Sequence, residues 1–191
     1  MGHETLVKIM EQGVLAVIAK ASPDEAVLVV KALYASGIRV GEITMRAQGA
    51  LAVLEKVVNE FGDKVTFGAG DVRNADAAHA CIKAGAEYTP TEVVTAWESH
   101  ADAVMIFPCV AVGGSKYLAS LKHAFSEIEM MPTGSLDLGT TREFLGAGAC
   151  AVSVGSAFID ARTISQGSYV VFEDRGRRYL DEVAKARAKP S

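Results

Sequence analysis

Seven apolar runs mark the chain at nearly even spacing, each followed by a stretch of helical character. This alternation limits the possible folds more than any other feature. The runs are Val14–Ile18, Arg39–Met45, Val65–Gly70, Glu87–Pro90, Ala103–Phe107, Ile128–Pro132 and Ala151–Gly155. Most are apolar throughout, as strands covered on both faces must be. Between them, helices are expected at Pro23–Ser36, Gly49–Phe61, Ala75–Ala84, Thr91–Ser99, Ser115–Phe125 and Thr140–Ala147. A short amphipathic helix at residues 3–12 precedes the first strand, and a last helix covers residues 168–188. Strand and helix in strict alternation imply crossover connections and a parallel sheet.

Local signals support these boundaries. Ser22-Pro23-Asp24-Glu25 supplies a cap, a proline at the first helical position and acids in the first turn, and Thr89-Pro90-Thr91-Glu92 does much the same. Gly37, Gly85 and Gly148 each stand between a helix and the next strand, where a left-handed residue ends a helix. The connectors Ala35-Ser36-Gly37-Ile38, Lys83-Ala84-Gly85-Ala86 and Gly146-Ala147-Gly148-Ala149 echo one another, as repeated βα units do. The expected fold is therefore α/β, a (β/α)8-type TIM barrel in one domain spanning residues 1–191. Strand starts step by 22 to 26 residues, except for a step of 16 from Glu87 to Ala103. The barrel is thus shortened to about seven strands, with one unit compressed or absent around Tyr88–Thr91. An open doubly wound sheet tolerates seven strands, but it usually carries a glycine-rich loop after the first strand. Here that place reads Ala19-Lys20-Ala21-Ser22.

The net charge of −4 gives no electrostatic support for nucleic-acid binding. No apolar run is long enough to span a membrane, and the N-terminus lacks a signal-peptide core, so a cytoplasmic protein is expected. The lone cysteines Cys81, Cys109 and Cys150 read as buried, reduced thiols. The four histidines, His3, His79, His100 and His123, fall on helices or their ends and read as surface residues.

Sites in βα barrels are built at the C-terminal ends of the strands. Glu42 stands there in an otherwise apolar strand, either as a general acid/base of raised pKa or in a buried ion pair with Arg46. Arg46 is either a bidentate clamp for an anion or a solvated loop residue. Pro132-Thr133-Gly134-Ser135 and Gly155-Ser156 end the last two strands with small residues, which serve either to present backbone N–H groups to a phosphate or only to make tight turns.

Together these motifs resemble the 2-keto-3-deoxy-6-phosphogluconate / 4-hydroxy-2-oxoglutarate aldolase family. The matching phrases are Gly37-Ile38-Arg39-Val40-Gly41-Glu42-Ile43-Thr44-Met45-Arg46, Phe67-Gly68-Ala69-Gly70, Thr89-Pro90-Thr91-Glu92, Ile106-Phe107-Pro108-Cys109, Pro132-Thr133-Gly134 and Val154-Gly155-Ser156. They occur in the family's order and cover nearly the whole chain. The resemblance implies a homotrimer or larger homo-oligomer of barrels, with class I aldolase chemistry. In that chemistry a strand lysine forms a Schiff base with pyruvate or a keto acid. It implies Glu42 as general acid/base, Arg46 and Thr133 as substrate-anion contacts, and phosphate contacts near Gly134, Ser135, Gly155 and Ser156. The expected ligand is a small keto acid, phosphorylated or not, with no cofactor and no metal.

The chain departs from that pattern in four places. Met105 stands where the family has its Schiff-base lysine. Asp71, at the substrate-binding position after Gly68-Ala69-Gly70, replaces a threonine. Ser135 replaces a glycine. About one βα unit (on the order of 25 residues) is missing between Tyr88 and Thr89. A thioether cannot form an imine, so the aldolase activity is expected to be lost or impaired. Lys20, just past the first strand, is the one substitute nucleophile placed plausibly. The alternative is an engineered or repurposed non-catalytic oligomeric scaffold. A third reading, a metal-dependent aldolase using Glu42 and Asp71 as oxygen ligands, suffers from having only two carboxylates.

Overall fold

In the computed structural model, residues 2–46, 49–71, 86–87 and 89–188 are described. Helix α1 (Gly2–Gln12) leads into strand β1 (Val14–Ile18), helix α2 (Pro23–Ser36), strand β2 (Val40–Thr44) and helix α3 (Ala50–Phe61). A 3-10 turn at Gly62–Lys64 opens strand β3 (Thr66–Gly70). Then come β4 (Ala86–Glu87), α4 (Pro90–Glu98), β5 (Val104–Ile106), α5 (Gly114–Ala124), β6 (Met130–Pro132), α6 (Leu138–Gly146) and β7 (Val152–Val154). Helices α7 (Ala161–Ser165) and α8 (Val170–Arg187) complete the chain. The helix expected at Ala75–Ala84 lies outside the described residues, as do Cys81 and His79.

All strand pairs are parallel, in the orders β3-β2-β1-β7 and β4-β5-β6. A hydrogen bond from Cys150 N to Met130 O (3.0 Å) joins the two sheets between β7 and β6. The result is one curved wall in the order β3-β2-β1-β7-β6-β5-β4, an α/β barrel of the TIM type with seven strands among the described residues. No helix among those residues is long and apolar enough to cross a membrane.

Successive side chains of a strand face opposite ways, and the two apolar clusters follow that rule. Val14, Ala16, Ile18, Ile43, Val104, Ile106, Met130, Val152 and Val154 face outward into the large core shared with the helices. Phe144, Phe158 and Phe172 are fully buried in that core, and truncating any of them to alanine costs about 3–5 kcal/mol. Leu15, Val40, Met131 and Ala151 face inward and form a smaller cluster with Met105. Ile9 and Met10 of α1 join it, so α1 closes the N-terminal end of the barrel and leaves the other end open.

The capping boxes at Ser22 and Thr89 form as the sequence predicts. Gly37 ends α2 with φ 104°, the left-handed geometry that glycine adopts without strain. The strand expected at Glu87–Pro90 is cut short, because Thr89 caps α4 and Pro90 already belongs to it. Helix α6 begins two residues earlier than expected, since Asp137 accepts from Thr140 N and so acts as its cap. Helix α7 was not visible in the sequence: five residues capped by Asp160 are too few to show a period.

Candidate active site

Glu42 lies at the centre of strand β2, paired with Val17 of β1 and Gly68 of β3. Its neighbour Ile43 faces the outer core, so Glu42 faces the inside of the barrel. Its carboxyl group rests over Gly70: a Cβ there would come within 2.7 Å of the Glu42 Cδ. A glycine at this point of β3 therefore makes room for the acid. Burial pushes the Glu42 carboxyl from 4.5 up to about 7, and the nearby Asp71 carboxylate adds to the rise. A carboxyl group poised near neutrality can both take and give a proton.

The ion pair considered between Glu42 and Arg46 is not formed. Arg46 Nε instead lies 3.1 Å from Asp71 Oδ2. The physical reason is local. Met45 N donates to Gly70 O (2.8 Å), which ties the end of β2 to the end of β3 and sets residues 46 and 71 side by side at the rim. Asp71 takes a left-handed backbone (φ 57°), a conformation that aspartate tolerates better than most residues. Both partners are substantially exposed, at 60% and 38%, so the pair itself contributes no more than about 1 kcal/mol. Arg46 is thus already paired with the Asp71 carboxylate at the rim.

Met105, expected at the position of a Schiff-base lysine, is partly buried on the inner side of β5. It pairs with Ala86 and Met131 and packs in the inner cluster with Leu15, Val40 and Ala151. Its surroundings are apolar and suit a thioether. Thr133 extends the ladder past β6: its N–H donates to Ile106 O (2.9 Å) and its carbonyl accepts from Cys109 N (3.0 Å). Gly134 (φ 90°) packs against the Phe107 ring and Pro108, where a Cβ would lie 2.9 Å from the ring. Ser135 follows with φ 60°, and a left-handed residue with a side chain costs on the order of 1 kcal/mol. The chain thus keeps a turn of glycine-type geometry at a position filled by serine. Gly155 accepts from Phe158 N and Ile159 N in the turn after β7, and Ser156 is exposed in that turn. Lys20 is exposed beyond the end of β1. Glu42, Arg46 and Asp71 meet at one side of the mouth. Thr133, Gly134 and Ser135 follow the end of β6, and Gly155 and Ser156 follow the end of β7, with Gly155 beside Val17 of β1.

Two inward residues were missed in the sequence. Thr44, two residues beyond Glu42, is 6% exposed. Ser153, two residues before Gly155, is 1% exposed, and its hydroxyl has no hydrogen-bond partner among the described residues. The period of two within each strand would have found both, once Glu42 and Gly155 were taken as inward. The thiols Cys109 and Cys150 are pushed up by burial to about 11 and about 12, so neither is a nucleophile near neutral pH.

The family model for KDPG and KHG aldolase matches residues 6–95 and 88–173. The chain belongs to the KDPG/KHG aldolase family. The two matched segments overlap at residues 88–95, in the short step between β4 and β5. A 2-dehydro-3-deoxy-phosphogluconate aldolase from Dickeya dadantii is 26% identical over an alignment of 172 positions, gaps included, with 76% of this chain and 80% of that protein covered. The structure of KDPG aldolase from Legionella pneumophila, with pyruvate captured at low pH as a covalent carbinolamine intermediate, superposes with a TM-score of 0.83. Identity there is 21%, with 90% of this chain and 96% of that one covered. A cube-shaped, highly porous cage designed by fusing symmetric oligomeric domains has the same fold, at a TM-score of 0.83 and 21% identity over 93% of this chain and 74% of that one. A KDPG/KHG aldolase barrel is thus the frame on which Glu42, Arg46, Asp71 and Met105 are set.

Proposed function

We propose that the mouth of this barrel holds a small keto-acid anion, phosphorylated or not, and that class I aldolase chemistry is switched off in it. The observation that carries this reading is Met105 inside the barrel, packed against Leu15, Val40 and Met131. The pyruvate carbinolamine captured in the Legionella relative needs an amine nitrogen. A methionine at the corresponding inner position offers none. The anion-recognition groups remain: Arg46 at the rim, Thr133 at the end of β6, and the small residues Gly134, Ser135, Gly155 and Ser156 for a phosphate. Glu42, with its carboxyl group near neutrality, keeps the capacity to move a proton at the bound molecule. Without a covalent electron sink, that capacity does not by itself break a carbon–carbon bond. We take the working unit to be a homotrimer or larger homo-oligomer, as the family resemblance implies, with about one βα unit removed between Tyr88 and Thr89.

Calorimetric titration with pyruvate and with a phosphorylated keto acid tests the binding half of this reading. Saturable binding that Arg46→Ala weakens is expected, with no cleavage of a 2-keto-4-hydroxy acid. Absence of binding by either ligand, in a chain that still assembles, would refute it and leave a non-catalytic oligomeric scaffold.

A further inference from the structure

We propose that a groove at the closed, N-terminal end of the barrel is a second binding site, for a small phosphate monoester with an apolar body. The groove has a volume of about 590 Å³, within the range of ligand pockets. It lies where β2 and β3 begin, between α1, α8 and the 3-10 turn, at the opposite end of the strands from Arg46 and Thr133. No residue of the site at the mouth lines it.

Charge is the first argument. Four cationic side chains line the groove: Lys8 of α1, Arg39 before β2, Lys64 of the 3-10 turn and Arg187 at the end of α8. Glu11 and Asp63 are its two acids, and Lys8 is already paired with Glu4 of α1 (3.0 Å), so with Glu4 counted the formal net charge is 4 − 3 = +1. The whole chain is at −4, which makes this a local positive island on an acidic protein. Arg39, Lys64 and Arg187 have no ion-pair partner among the described residues, and three such cations suit one phosphate monoester rather than a polyphosphate chain.

Preorganisation is the second argument. The Arg187 guanidinium donates to Glu11 O (2.6 Å) and to Met10 O, which fixes it against the end of α1. Arg39 donates to Tyr34 O (2.6 Å) and Ile38 O (3.2 Å), and its Cζ stands 3.8 Å from the centre of the Tyr34 ring. Each guanidinium has five N–H groups, so donors remain for an anion after these contacts. Because the backbone and the ring already hold both side chains, little conformational entropy is lost on binding. Lys64 is exposed and has no ion-pair partner among the described residues. The third argument is the lining between the charges: partly buried Leu180, with Val65 and Val183 beneath it, gives the groove an apolar floor for the body of a ligand rather than for its phosphate.

Calorimetric titration of the intact protein with phenyl phosphate at low salt tests the proposal, since screening weakens exposed charge contacts. Saturable binding is expected, tighter than that of inorganic phosphate. Lys64→Glu should weaken it about tenfold or more, with Lys64→Gln in between. Arg46→Ala, at the other end of the barrel, should leave it unchanged, and Lys64→Glu should leave pyruvate binding at the mouth unchanged. The two sites therefore stand or fall separately. No saturable heat, or phenyl phosphate binding lost in Arg46→Ala but kept in Lys64→Glu, would overturn the proposal. Phosphatidic acid in vesicles carries the same head group. Cosedimentation with such vesicles without any binding of phenyl phosphate would overturn the small-molecule reading.

Discussion

Replacing Glu42 by glutamine should make the barrel more stable in alkaline solution and leave it almost unchanged near about pH 4. The folded carboxyl group titrates at about 7, against 4.5 in an accessible chain. The folded state therefore holds this proton more tightly than the unfolded chain does. Between about pH 4.5 and about pH 7 the unfolded state has lost the proton while the folded state retains it, so stability falls as pH rises through that window. The gap is worth about 3 kcal/mol at most, reached once both states are ionised. Glutamine keeps the shape of the protonated acid and has no charge to bury. Urea unfolding at about pH 4 and about pH 8.5, at one protein concentration, measures the difference. The variant should match the parent at the lower pH and exceed it at the higher by up to about 3 kcal/mol. In thermal unfolding that is about 6–12 °C for a chain of this length. An equal gap at both pH values, or a variant weaker than the parent in alkali, would refute the assignment of Glu42 as a buried acid held near neutrality.

Asp71→Asn should lower the Glu42 midpoint, because it removes the second cause of the rise, although burial keeps the midpoint above 4.5; a carboxylate-resolved NMR titration reads this directly. Met105→Lys places an amine in the inner cluster beside Leu15, Val40 and Met131, where burial should depress its pKa and favour the reactive free amine. That variant should give a pyruvyl-lysine adduct on reduction, detected by peptide mass mapping at residue 105. Gly176→Ala should destabilise the fold by roughly 1–3 kcal/mol in urea, since its Cβ would fall 2.1 Å from the Ser36 hydroxyl at the contact of α8 with α2.

What the sequence disclosed depended on how local the signal was. The caps at Ser22 and Thr89 and the stop at Gly37 are set within four or five residues, and they were legible. The strands were found because they are apolar throughout. The same property hid which alternate residues face the inside, so Thr44 and Ser153 went unread. The sequence left open whether Glu42 pairs with Arg46, for another reason. The nearest acid along the chain is Glu42, but the pairing of β2 with β3 brings Asp71 closer to it in space, and register is a tertiary fact. The basic groove combines α1, α8 and the starts of two strands, so no single segment of the chain contains it.

Reduction with borohydride in the presence of pyruvate, followed by intact and peptide mass measurement, tests the central claim most directly. The unsubstituted chain should show no pyruvyl adduct, because Met105 offers no amine inside the barrel. A stable adduct on any lysine would contradict the account, and an adduct on Lys20 would show that the nucleophile had moved to the end of β1.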